Sequence, residues 1–159
     1  VSAELQEKEV GERIKNAVIG SLKQYNVPIN IRVEYVRAEN IGGEVLVWGV
    51  FSKDGKVDYD NPVLLAGDAL VEKSKSSEEI GKEAAEELKK QIDAHAAVDH
   101  HLADQLIQFM SLLPGSKMKA GEVSKHAETN MYVVEKFLPV AFKVEKNMVS
   151  LEEKCLEEK

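Results

Sequence analysis

The sequence predicts an α+β fold in two parts. Three observations carry the prediction: four segments repeat apolar residues at helical spacing, five shorter ones read as strands, and Gly, Pro, Asn and Asp punctuate the joins.

Each element follows from its pattern. Val10, Ile14, Val18 and Leu22 recur every four residues and predict an amphipathic helix from about Glu4 to Gln24, stopped by NVP at residues 26–28. Ile29, Ile31, Val33 and Tyr35 alternate with polar residues as in a half-buried strand, and after Gly42 and Gly43 the run VLVWGVF reads as a more fully buried one. KDGK, Lys53 to Lys56, is a turn, and Val63 to Leu65 a third short strand. Ser76 and Glu79 have capping-box spacing ahead of a helix whose stripe is Ile80, Ala84, Leu88 and Ile92, ending near His95.

Residues 1–97 therefore read as a small α+β domain, two helices on one sheet face, and residues 98–159 as part of a second domain that starts with a new helix. Asp99 caps that helix, which runs to about Leu113 with Leu102, Leu106, Phe109 and Leu113 as its buried stripe. Lys117 to Gly121 is a strand, Ser124 caps a helix to about Leu138, VAFKVE alternates as a strand, and the tail LEEKCLEEK is a solvated segment.

Composition excludes several classes. At 159 residues and 43% hydrophobic, the chain has enough length to bury roughly two thirds of its unfolded surface. No run approaches the roughly 20 apolar residues of a membrane span, and the first 18 residues are too charged for a signal peptide, so a cytoplasmic location is expected. The lone Cys155 has no partner for a disulfide or a zinc site, in keeping with a reducing compartment. A net charge of −7, with only Arg13, Arg32 and Arg37 as arginines, argues against gripping nucleic acid by bulk electrostatics.

Among side chains that carry chemistry, His95, His100 and His101 cluster in HAAVDHH, but they lack the i, i+4 spacing of two ligands on one helix face, so no resident metal is assigned to them. Gly42 and Gly43 form no phosphate loop. His101, Asp104, Gln105 and Gln108 share one flank of the Asp99 helix, beside its apolar stripe. His126, in GEVSKHAETN, falls in the first turn after Ser124. Unpaired N–H groups there attract phosphate, and the positive end of a helix favours the neutral imidazole that a nucleophile requires. These patterns alone leave two readings of His126 open, a surface histidine or a reactive one.

The segment from Val98 onward narrows that choice. LADQL at residues 102–106, SKHAETN at 124–130 and VEKFLPV at 134–140 resemble, in the same order, the C-terminal part of RNA 3′-terminal phosphate cyclases. The first 90 residues resemble that family's small inserted domain. The resemblance implies a small insert-type α/β sandwich followed by part of a βαβαββ module like those of enolpyruvate transferases and RNA cyclases, with the N-terminal half of the usual enzyme outside this chain. It also implies an ATP-dependent ligase active in RNA processing, which converts an RNA 3′-terminal phosphate to a 2′,3′-cyclic phosphate through a covalent histidine-AMP intermediate. His126 then matches the nucleophile, and His101, Leu102, Ala103, Asp104 and Gln105 match the ATP-binding segment, with Mg²⁺ or Mn²⁺ entering with ATP. Many relatives carry Tyr where His101 stands, and the family's SxHTLTN is here SKHAETN, with Glu128 in the segment. The alternative is a non-catalytic cyclase-like factor of ribosome assembly; such relatives lack the histidine that is present here.

Overall fold

A computed structural model describes residues 1–153, which form an α+β architecture of four α-helices and two small sheets. The described chain divides into two compact units, one of Val1–Gly49 with Ala66–Lys89 and the other of Val50–Leu65 with the described residues from Lys90 onward. The sequence reading places its boundary after Ala97 and keeps residues 50–65 with the first part. No helix among the described residues is long and apolar enough to cross a membrane.

In the first unit, helix α1 spans Val10–Leu22, later than its apolar pattern suggests, because Ala3–Leu5 forms a 3₁₀ turn and Glu9 takes a left-handed φ of 51°. Its stripe Val10, Ile14, Val18 and Leu22 is buried with Ile80, Ala84 and Ala85 of α2, Ser77–Asp93. The two backbones approach closely at Gly81, where a Cβ would lie 2.5 Å from the carbonyl oxygen of Ile14. The capping box forms as its spacing requires: the Glu79 carboxylate accepts from the Ser76 N–H at 2.7 Å, and Ser76 Oγ accepts from the Glu79 N–H at 3.2 Å.

Strands β1, Glu44–Val50, and β2, Leu64–Leu70, form a two-stranded sheet. Contrary to the expectation of a fully buried run, β1 alternates: Val45 and Val47 pack on the helices while Leu46 and Trp48 face outward. The strand read at Ile29 to Tyr35 does not form. Val36 makes a single bridge with Ser2, donating to the Val1 carbonyl at 2.9 Å and accepting from the Ala3 N–H at 2.8 Å. The bridge is parallel, so it would be continued past Val36 by the residues after Ser2, which instead close into the 3₁₀ turn with the Leu5 N–H donating to Ser2 O. The KDGK turn is a tight one, with Asp54 and Gly55 both at positive φ, as a two-residue hairpin loop requires.

The second unit holds α3 (His100–Met110), β3 (Lys117–Lys119), α4 (Lys125–Phe137), β4 (Val140–Glu145) and β5 (Met148–Glu153). The last three strands make an antiparallel sheet in the order β3-β5-β4. Strand β5 corrects the reading of the tail: Leu151 is buried and its strand is the middle of the sheet, which its short, charged sequence does not announce. The rest of the tail, with Cys155, lies outside the described residues.

Helix α3 corrects a second expectation. Its buried residues are Ala103, Ile107 and Met110, one position round from the stripe read in sequence, and they join Met118, Ala127, Met131 and Val149 in the core. Leu106 packs partly against that core, whereas Leu102, Phe109 and Leu113 are 39%, 64% and 64% exposed.

Candidate active site

The site assembles where α3 meets the start of α4, and local capping chemistry builds both ends. Asp99 precedes α3 in an extended conformation and its carboxylate accepts from the Leu102 N–H at 2.8 Å. Ser124 does the same for α4, accepting from the Ala127 N–H at 3.0 Å. Both caps are read correctly from sequence. The structure adds a second bond: Ser124 Oγ also donates to Asp104 Oδ1 at 2.6 Å. Asn130, one turn further along α4, donates from Nδ2 to the Asp104 carbonyl at 3.1 Å. The LADQL helix and the SKHAETN helix are thereby pinned to each other through one residue, Asp104.

His126 sits at the second position of α4, exposed, with no hydrogen-bond or ion-pair partner among the described residues. Its neighbours keep the turn rigid: Thr129 Oγ1 donates to the Lys125 carbonyl at 2.8 Å, and the Glu128 N–H to Ser124 O at 3.0 Å. Glu128 in this first turn faces the positive helix end, a favourable placement for a carboxylate.

On α3, His101 and Gln105 are exposed and Asp104 is half-buried, whereas Ala103 lies wholly in the core. Ala103 therefore serves packing, and its small side chain lets the helix lie close to its neighbours. The His100 and His101 rings stack with centroids 3.9 Å apart and planes inclined at 37°. His95 stands apart from that pair, at a left-handed φ of 51° just after α2, and exposed.

Gln91 and Gly121 are the members that sequence reasoning missed. The buried Gln91 amide lies 3.1 Å from His100 Nδ1, and its Oε1 has no partner among the described residues. A Cβ on Gly121 would fall 1.4 Å from that oxygen, so the glycine that opens GEVSKHAETN is what admits the amide. No local pattern flags this pair, which is 30 residues apart (121 − 91).

Comparison with known proteins places this geometry in context. A family model described as RNA 3′-terminal phosphate cyclase matches residues 6–144. Among curated relatives, the RNA 3′-terminal phosphate cyclase of Pyrococcus furiosus is 38% identical over 135 residues, 85% of this chain and 36% of its own. That of Thermococcus onnurineus is 41% identical over 122 residues, 76% of this chain and 33% of its own. That of Pyrobaculum neutrophilum is 37% identical over 140 residues, 86% of this chain and 38% of its own. The chain thus spans about a third of the length of the relatives it matches.

Proposed function

The chain belongs to the RNA 3′-terminal phosphate cyclase family, and we propose that it supplies the nucleophile and part of the ATP site of an ATP-dependent RNA 3′-phosphate cyclase. Residues 1–97 are then the small inserted domain, and residues 98–159 the C-terminal part of the catalytic domain. One observation supports this reading above the others: the bonds of Asp104 to Ser124 and Asn130 join the LADQ and SKHAETN motifs, which are separate in sequence, with His126 exposed at the helix end beside them.

A neutral imidazole nitrogen of His126 attacks the α-phosphorus of ATP. A nitrogen–phosphorus bond forms, the bond from the α-phosphorus to the bridging oxygen breaks, and diphosphate leaves. An oxygen of the RNA 3′-phosphate then takes the AMP and frees the histidine, and the adjacent 2′-OH closes on the activated phosphate and expels AMP. Splitting the displacement this way lowers each barrier, because a phosphoramidate hands its nucleotide on readily. The first N–H groups of α4 offset charge that builds on the phosphate oxygens.

In this arrangement His101, whose ring already rests at a tilt against His100, stacks on the adenine, while Leu102 contributes apolar surface and Gln105 a hydrogen-bonding amide. Asp104, whose Oδ1 accepts from the Ser124 hydroxyl, would hydrogen-bond the nucleotide beside Gln105, and a divalent cation such as Mg²⁺ or Mn²⁺ would enter with the ATP. Such an ion neutralises phosphate charge when it arrives with ATP. The remaining portion of a cyclase supplies the rest of the pocket and the cations that hold RNA, which a chain of net charge −7 does not provide in bulk.

The test is adduct formation. The chain is co-expressed with the remaining portion of a relative and incubated with ATP and Mg²⁺, and intact mass is followed for one added AMP that acid removes and alkali does not. His126→Ala should add none. An adduct on His126→Ala equal to that on the parent removes this nucleophile, and a parent assembly that never accepts AMP favours the non-catalytic, cyclase-like alternative.

A further inference from the structure

A cavity of about 280 Å³ opens in the first unit, between the N-terminal 3₁₀ turn, the segment before β1 and the start of α2. Its floor is apolar: Val10 and Ile80 belong to the core, and Leu5, Ile41 and Val71 complete the walls. Its rim is cationic, with Lys8, Lys73 and Lys75 against one carboxylate, Glu72. In a chain of net charge −7, three lysines around one opening are a local concentration of the opposite sign. Lys75 is held by Glu83 at 2.6 Å, whereas Lys8 and Lys73 have no ion-pair or hydrogen-bond partner among the described residues.

Ser77 turns this opening into a built site. It is the first residue of α2, lines the cavity and is only 6% exposed. Ser76 and Glu79 cap that helix, and neither the Ser77 hydroxyl nor its N–H has a hydrogen-bond partner among the described residues. A hydroxyl left unsatisfied in so closed a position costs about 1–3 kcal/mol unless something in the cavity bonds it. The start of a helix adds its own unpaired donors and positive dipole end. The carboxylates of this first turn are engaged elsewhere, Glu79 with Ser76 and Glu78 with Arg13. We propose that the cavity binds the phosphate of a nucleotide, held by both donors of Ser77 and the ammonium groups of Lys8 and Lys73, with the base against Leu5, Ile41 and Val71. The volume lies just under the roughly 300 Å³ at which small-molecule sites begin, which suits one nucleotide. A bare phosphate would leave the apolar walls uncovered. Every lining residue belongs to the first unit, so the proposal does not rest on the chemistry of His126.

The experiment follows the backbone amide signals of the isotope-labelled full chain by NMR during titration with adenosine monophosphate, inorganic phosphate and adenosine. The monophosphate should shift the amides of Gly42, Lys73 and Ser77 together to saturation, and phosphate or adenosine alone should do so at least tenfold more weakly. Ser77→Ala leaves the capping box intact and puts a better helix former in the first turn; Lys73→Glu changes an exposed side chain. Each should weaken the response about tenfold, the loss expected of one charge-assisted hydrogen bond, with the thermal midpoint unchanged. Lys53→Glu, in the KDGK turn, should leave it as in the parent, and so should His126→Ala, which separates this site from the one proposed around the nucleophile. A ribotrinucleotide bound more tightly than the monophosphate assigns the phosphate to an RNA strand, and weaker binding assigns it to a free nucleotide. The proposal is overturned if those three amides fail to shift, if inorganic phosphate binds as well as the monophosphate, or if Ser77→Ala and Lys73→Glu both titrate like the parent.

Discussion

The two units use the same materials to different ends. In the first, the stripes of α1 and α2 are buried as their spacing dictates, and the cap at the start of α2 serves the helix itself, Ser76 and Glu79 satisfying each other. In the second, Ser124 caps α4 and also holds Asp104, while α3 leaves an apolar stripe uncovered. The difference shows that an apolar stripe records the burial a helix needs, and that one chain meets the need at α1 and only half of it at α3. It also shows that a cap whose side-chain bonds stay within its own first turn is architecture, whereas a cap with a bond to another motif couples elements.

The sharpest way to break that comparison is through the two stripes. Ile80→Ala, in the closed core of the first unit, should cost about 2–5 kcal/mol in urea unfolding. Phe109→Ala should cost the chain alone less than about 0.5 kcal/mol, as exposed substitutions do. Similar losses at the two sites would show that the α3 stripe is already buried in solution.

Ser124 probes the doubled cap. Ser124→Asp keeps a good N-cap acceptor but places a carboxylate against Asp104 Oδ1, which now receives the serine hydroxyl. Helix stability should hold, while AMP addition to the co-expressed assembly slows about tenfold, the loss expected of one charge-assisted hydrogen bond. Ser124→Thr retains both bonds and should restore the rate. If Asp and Thr behave alike, Ser124 is a cap and nothing more.

The smallest effect concerns Glu79 in the first unit. Its carboxyl is held below the ordinary glutamate range first by the Ser76 backbone N–H and then by the Ser76 hydroxyl. A carboxylate depressed in the folded state stabilises fully above its unfolded value, and that contribution disappears as pH falls through the folded one. The thermal midpoint of Glu79→Ala should therefore lie below that of the parent at neutral pH and converge with it in acid, as pH falls through the folded value, as followed by circular dichroism. A constant gap across pH would mean that Glu79 acts by packing rather than charge.

Much of this molecule is legible in its sequence because the responsible physics is local. Helical spacing locates α1 through α4, and a short polar residue ahead of an apolar run marks the caps Ser76, Asp99 and Ser124, since a cap bonds only to residues two or three along the chain. The same locality makes LADQL, SKHAETN and FLPV readable as motifs and puts His126 at a helix start. The family model, matched over residues 6–144, carries that reading to the family.

Tertiary structure decided what depends on neighbours distant in the chain. It left Ile29 to Tyr35 without a ladder, with Val36 in one isolated parallel bridge, and it made Met148 to Glu153, where the charged tail begins, into the central strand β5, because two other strands flank it. It turned α3 by one position, burying Ala103 and exposing Phe109, because a stripe in sequence says that a face is apolar and not which body will cover it. It also brought Asp104 to Ser124 across 20 residues and Gln91 to Gly121 across 30. The sequence by itself determined the helices, their caps and the motifs that carry the candidate site; packing alone determined which of those helices meet, and so where the histidine stands.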